Sequence, residues 1–173
     1  MIRKATKNDI DAIEKIYDKI HTEEEKGNVV IGWVRGIYPI REDAENSLNK
    51  NELFVFEDNN EIVASARINK EQAPEYKNAQ WDYPAPDDEV MVLHTLVVDP
   101  DKKGKGYGTK FVSFYENYAK ENRCKFLRMD TNALNKNARA LYKKLGYKEV
   151  SIVHCNFNAI RGISLVCLEK YLG

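Results

Sequence analysis

Cysteine is scarce in this sequence: Cys124, Cys155 and Cys167 are odd in number, and no pair has Cys-x-x-Cys spacing. That argues against a disulfide framework and a thiolate zinc site, and fits a reduced, cytoplasmic setting in which each thiol is a small buried hydrophobe. An excess of either charge is also missing. Lys plus Arg number 27 and Asp plus Glu 27, for a net charge of +0, so nothing suggests general affinity for nucleic acid or an anionic membrane. No apolar run is long enough to span a bilayer, and no leader-like apolar stretch precedes the first charged residues. Repeats, low-complexity tracts and linkers are absent, so residues 1–173 are read as one domain large enough for a real core.

What the sequence does have is organised around Val92 to Thr109, V-L-H-T-L-V-V-D-P-D-K-K-G-K-G-Y-G-T. Its first part, up to Val98, is apolar and β-branched, which predicts a buried strand running from Glu89 to Val98; Asp99-Pro100 ends it. Gly104, Gly106 and Gly108 follow among Lys102, Lys103 and Lys105. From Thr109 to Asn122 the apolar residues Phe111, Phe114, Tyr115 and Tyr118 share one helical face. A strand, a glycine-rich turn and a helix aim free backbone N–H groups and a positive helix end at an anion, so the segment reads as a pyrophosphate cradle. The glycine spacing is neither G-x-x-x-x-G-K-[ST] nor G-x-G-x-x-G, which disfavours a nucleoside triphosphate or a dinucleotide. A plain β–α turn with solvated lysines is the competing reading.

Along the rest of the chain, Ile2 to Ala5 reads as a strand and Thr6 as the cap of a helix carrying Ile10, Ile13, Tyr17 and Ile20. Gly27 to Pro39 is a glycine-broken loop holding Trp33, Arg35 and Tyr38, and Glu42 to Leu48 a short helix. Glu52 to Glu57 and Glu61 to Ile68 form a hairpin about Asp58-Asn59-Asn60. Lys70 to Asp88, with Pro74, Pro84 and Pro86, is a long excursion of the functional or mobile kind; Asp82, Asp87 and Asp88 are acids there that could attract a cation. Lys125 to Thr131 is a strand, reached by a right-handed crossover. Asn135 to Leu145 is a helix stopped by Gly146, and Tyr147 to Val153 and Ser164 to Leu172 are strands joined by a loop around Asn156 to Gly162.

Two stretches carry a family resemblance. Val98, Pro100, Lys103, Gly106 and Gly108 resemble the V-x-P-x-x-[RQ]-x-x-G-x-[GA] signature of the GNAT superfamily of N-acetyltransferases, with Lys103 where Arg or Gln is usual. Asn135, Ala138, Leu141, Tyr142, Gly146 and Tyr147 match N-x-x-A-x-x-L-Y-x-x-x-G-[FY] of the same family. The resemblance implies an α/β (α+β) fold, one GNAT-like domain with a mixed sheet of about six to seven strands flanked by about four helices. It implies acetyl-CoA as co-substrate, no metal, and transfer of acetyl to a primary amine of a small molecule or peptide by direct attack in a ternary complex. A catalytically silent acyl-CoA-binding module is the alternative. The family's dimers, formed through exposed sheet edges, leave a homodimer open.

By the same resemblance, backbone groups of Leu96, Val97 and Val98 hold the pantetheine arm, and an N–H of Val97 or Val98 serves a carbonyl oxyanion. The N–H groups of Gly104, Lys105, Gly106, Tyr107, Gly108 and Thr109, beside Lys103, receive the pyrophosphate. Asn135 contacts pantetheine and Tyr142 is the general acid, its unperturbed pKa of ~10 keeping it protonated. For the base that deprotonates the amine the residues offer Glu89, His94 and Asp130, with Glu89 and His94 leading. The acceptor's identity depends on the loops 27–39 and 70–88.

Overall fold

The computed structural model describes residues 1–173. Its elements are β1 (Ile2–Lys4), α1 (Ile10–Glu25), α2 (Arg41–Asn49), β2 (Leu53–Asp58), β3 (Glu61–Asn69), β4 (Val90–Val98), α3 (Tyr107–Glu121), β5 (Phe126–Asn132), α4 (Lys136–Lys144), β6 (Lys148–Phe157) and β7 (Ile160–Tyr171). The strands form one mixed sheet in the order β1-β2-β3-β4-β5-β7-β6. Only β4 and β5 run parallel, as expected for two strands joined across a helix. The anticipated mixed sheet and four helices are therefore found.

Side chains alternate between the two faces of a sheet, and the strand sequences supply apolar residues to both. Phe54, Phe56, Met91, Leu93, Leu127, Met129, Val166 and Leu168 pack on one face against Phe111, Val112 and Tyr115 of α3 and Tyr142 of α4. Leu53, Val55 and Val97 face the other way and meet Ile10, Ile13, Ile16, Tyr17 and Ile20 of α1. Further along that second face, Val90, Val92, Leu165 and Cys167 are covered by Tyr76 from the excursion 70–88. The second face thus has two lids, α1 with α2 at one side and the excursion at the other. The gap between them is open to ligands.

The excursion is held down rather than mobile. Arg128 and Glu169 form a buried ion pair at 3.1 Å; Arg128 also donates to the Gln72 side chain and the Tyr83 carbonyl, and Glu169 accepts from the N–H groups of Asp82 and Tyr83. The Trp81 ring lies 4.2 Å from the guanidinium carbon. Two boundaries differ from the sequence reading. Helix α3 starts at Tyr107, two residues early, because Gly106 at φ 74 turns the chain directly into it. The loop expected around Asn156 to Gly162 is a tight turn at Asn158 and Ala159, both at positive φ, so β6 and β7 pair as far as Phe157 and Ile160. An alanine in that conformation gives no local signal.

Candidate active site

The site exists because β4 and β5 pair only as far as Leu93 and Met129 and then separate, while β4 runs on to Val98 and β5 to Asn132. A bulge in β4 helps divert it. Between the Arg67–His94 and Ser65–Val97 pairs β4 has one extra residue, and Thr95 sits at φ 51. The Tyr38 hydroxyl hydrogen-bonds the Thr95 hydroxyl, tying this bulge to the loop 27–39. Past the bulge, Asp99 N–H donates to Val63 of β3 at 2.8 Å. Successive amides alternate in direction, so Val97 N–H also points to β3 and Val98 N–H points into the opening beside β5.

A cavity of about 610 Å³ passes through this opening. On the α3/α4 side it is lined by Leu96, Val98, Pro100, Lys103, Asn135 and Tyr142; on the other by Tyr38, Arg67, His94 and Asp130. At its first mouth lies the loop after β4. Lys19 of α1 grips Asp99 at 2.9 Å and Asp101 at 2.7 Å, and Asp99 accepts the Asp101 N–H, which fixes where the loop begins. From Lys103 to Thr109 no backbone N–H finds an acceptor within the chain; the first helical bond of α3 is Lys110 to Gly106. Gly104 and Gly106 have positive φ and open space where a Cβ would stand, whereas a Cβ on Gly108 would touch Leu141 at 3.5 Å. The turn of free donors at a helix start fits a pyrophosphate. Tyr107 contributes its backbone alone, since its ring packs on Phe56 and its hydroxyl donates to Asp58.

Asn135 caps α4 by accepting the Ala138 N–H at 3.2 Å, which leaves its amide N–H₂ for a ligand. Two turns on, the Tyr142 ring is buried against Tyr147, and its hydroxyl has no hydrogen-bond partner in the protein. Burial, with the Asp130 carboxylate nearby, holds its ionisation well above the tyrosine range. The three candidate bases separate. Glu89 is in the short 3-10 turn 87–89 at the far end of β4 and does not line the cavity. His94 lines it, but burial and the Arg67 charge push its pKa down to about 3. Asn69 Oδ1, which also accepts the Glu71 N–H, accepts from His94 Nε2 at 2.8 Å, so the ring is neutral with Nδ1 unprotonated. Asp130 lines the cavity as well; burial raises its pKa to about 6, and Tyr76 donates to Oδ2 at 2.6 Å. It alone combines position with a proton affinity suited to neutral pH.

Both loops reach the cavity. Trp33 and Tyr38 line the cavity, while Arg35 turns outward to Glu25 and Asp18. Glu24 accepts the N–H groups of Ile31 and Gly32 and so clips the loop to α1. Ala73, Pro74 and Glu75 reach the cavity from the excursion; Asp82 instead pairs with Lys148, and Asp87 with Gln72. In the sequence Tyr76 stands out only as an aromatic of the excursion, and Arg67 has no assigned role. The signal for Arg67 is a lone guanidinium within the apolar run E-I-V-A-S-A-R-I-N.

Residues 10–147 match the family model described as Acetyltransferase (GNAT) family. The chain belongs to the GNAT family. An uncharacterised N-acetyltransferase of Methanocaldococcus jannaschii is 35% identical over 65 residues, which is 38% of this chain and 29% of that protein. The match therefore spans under a third of that relative's length. A GNAT-family acetyltransferase from Streptococcus agalactiae superposes with a TM-score of 0.82 at 18% identity, covering 99% of this chain and 94% of that one. A Salmonella typhimurium protein described as an acetyltransferase and solved with acetyl-CoA as its cofactor superposes at 0.70 and 17% identity, covering 100% and 94%. At such identities these structures show a shared fold. Within this GNAT chain, no helix is long and apolar enough to cross a membrane.

Proposed function

We propose that this GNAT protein transfers the acetyl group of acetyl-CoA to a primary amine by direct attack within a ternary complex. The observation that carries the reading is a single cavity running through the sheet where β4 and β5 part, with an anion-binding turn and Tyr142 on one side and Asp130 on the other. Two substrates can then meet from opposite faces. Acetyl-CoA, when bound, supplies the thioester; its presence in the Salmonella neighbour and the free N–H groups from Lys103 to Thr109 support its use here.

The chain's own groups then divide the work. The turn 103–109 receives the pyrophosphate, and the amide of Asn135 and the β5-facing edge of Leu96 to Val98 receive the pantetheine arm. Val98 N–H points to where a carbonyl oxygen gains charge. The carboxylate of Asp130 takes a proton from the ammonium, freeing the lone pair that forms the C–N bond. As the C–S bond breaks, the thiolate takes the Tyr142 proton; the second proton that the attacking nitrogen must lose to become an amide returns through solvent to the tyrosinate, and Asp130 releases its proton to bulk water. His94 is too weak a base for this, and Glu89 stands too far away.

The test is thiol release from acetyl-CoA against a panel of amino acids, polyamines, aminoglycosides and short peptides, beside calorimetry of acetyl-CoA. Amine-dependent release that falls about 10²- to 10⁴-fold in kcat for Tyr142→Phe, with acetyl-CoA affinity kept, is expected for a general acid. Binding without release for any amine would reassign the protein as an acyl-CoA-binding module, and no binding would remove the reading altogether.

A further inference from the structure

Arg67 on β3 pairs with His94 on β4, and continuing the β4–β5 register one residue past Leu93–Met129 puts His94 beside Asp130. Their side chains share one face, so three neighbouring strands present a row of cation, neutral imidazole and carboxylate, all lining the cavity. At the usual strand spacing the outer Cα atoms are at least about 10 Å apart, which the long Arg67 side chain reduces to the span of a small molecule.

Arg67 is also left without its hydrogen bonds. Its nearest carboxylates are Glu52 at 3.9 Å and Glu71 at 3.7 Å, beyond hydrogen-bond reach, and its Nε is sealed from solvent with no partner. Those acids have other commitments: Glu52 accepts from Asn69, and Glu71 lies 3.8 Å from Lys50. Buried donors in native proteins are seldom left unpaired unless a ligand or water takes them. A planar guanidinium with free N–H groups matches two carboxylate oxygens.

The cavity's remaining acids divide by position. Asp43 accepts the Ile40 N–H and Glu23 accepts from Asn28. Glu75 and Asp130 have no basic partner, and they are near enough for Glu75 to raise the Asp130 pKa. The Tyr38 phenol also lines the cavity; burial chiefly raises its pKa, with Asp43 and Asp130 adding to the rise and the Thr95 hydrogen bond and Arg67 opposing it. The cavity therefore offers unfilled guanidinium donors at β3, set among Glu52, Glu71 and Lys50, and two acids without a basic partner at β5.

We propose that the acceptor is a zwitterion of the amino-acid class, its carboxylate docked on Arg67 and its ammonium received by Asp130. This rests on the acetyltransferase reading above and narrows it to amines that carry a carboxylate. An amine with only positive charges would leave the guanidinium's hydrogen-bond donors unfilled.

The experiment compares each of several amino acids with its carboxamide and with the amine lacking the carboxyl group, using wild type, Arg67→Gln and Arg67→Lys, with melting temperatures recorded for all three. Wild type should favour the free acid by about 100-fold or more in kcat/KM, as for truncating one side of a desolvated charge pair. Arg67→Gln should bring acid and carboxamide to within a few-fold, and Arg67→Lys should restore part of the preference. Transfer to acid and carboxamide at equal rates overturns the proposal and leaves the transferase standing. Transfer to none of these compounds leaves the transferase reading to the wider amine panel above, and calorimetry of free amino acids with the protein–CoA complex then decides for Arg67. Binding lost in Arg67→Gln upholds the site; no binding, or binding unchanged in the variant, overturns it.

Discussion

Replacing Tyr76 by Phe removes one hydroxyl from a 2.6 Å hydrogen bond to Asp130 and leaves the buried ring in place. In the native protein burial raises the Asp130 pKa while this bond lowers it, with a net value of about 6. A hydrogen bond to a charged group contributes about 1.5–3 kcal/mol, and 1.36 kcal/mol corresponds to one pKa unit, so its loss should raise Asp130 by about 1–2 units. The other groups that feel the Asp130 charge, Tyr38, Tyr142, Cys155 and Cys167, are all pushed above their ordinary ranges, by burial first. A base at about 6 is roughly nine-tenths ionised at pH 7; one at about 7–8 is roughly one-half to one-tenth ionised. Amine-dependent kcat/KM should therefore fall about 2- to 10-fold at pH 7 and be unchanged near pH 9, its acidic limb moving up by about 1–2 units. Thiol release from pH 5 to 9.5 at fixed ionic strength measures this, with folding checked by thermal melts. An acidic limb that stays where it was, or an equal loss at every pH, would refute Asp130 as the base held by Tyr76.

The same carboxylate should cost stability. Its folded pKa of about 6 is above the unfolded value, so the folded state loses stability as pH rises from about 4 to 6, by about 3 kcal/mol in all. Asp130→Asn should be more stable than wild type by up to about 3 kcal/mol in urea at pH 8 and nearly equal at pH 4; lower stability at pH 8 would contradict a carboxylate strained by burial. Glu169→Ala leaves the buried Arg128 unpaired and should cost about 3–5 kcal/mol, with faster hydrogen exchange across 70–88. Slow exchange there would mean that the ion pair does not hold the excursion. Gly106→Ala forces φ 74 on a residue with a Cβ, a strain of about 1–2 kcal/mol. If the turn relaxes to relieve it, acetyl-CoA affinity should drop about tenfold in calorimetry, and unchanged affinity would place the phosphates elsewhere.

Two kinds of information were legible in the chain before its structure. Where a residue's role depends on its own backbone and near neighbours, the sequence carries it. Gly104 and Gly106 mark a turn with free amides, and the Asn135–Tyr142 spacing puts a cap and a phenol on one helix face. The near-continuous apolar run of β4 marks a buried strand. Where a role depends on which strands lie side by side, it does not. Glu89 and Asp130 are both acids at the ends of apolar runs, and only the splay after Leu93–Met129 decides that Asp130 enters the cavity while Glu89 stays at the closed end. His94 has an ordinary imidazole, and only burial beside Arg67 makes it too weak a base. Thr95 gives no local sign of a left-handed bend; pairing on both sides of the bulge imposes it.

The sequence by itself thus determined the family, the turn of free amides and the cap-and-phenol spacing on one helix, because short-range backbone and side-chain geometry encodes them. Only the tertiary structure singled out Asp130 as the proposed base and set which charged groups line the acceptor half. Desolvation and charge pairing are set by neighbours distant in the chain: Tyr76 is 54 residues from the Asp130 it contacts.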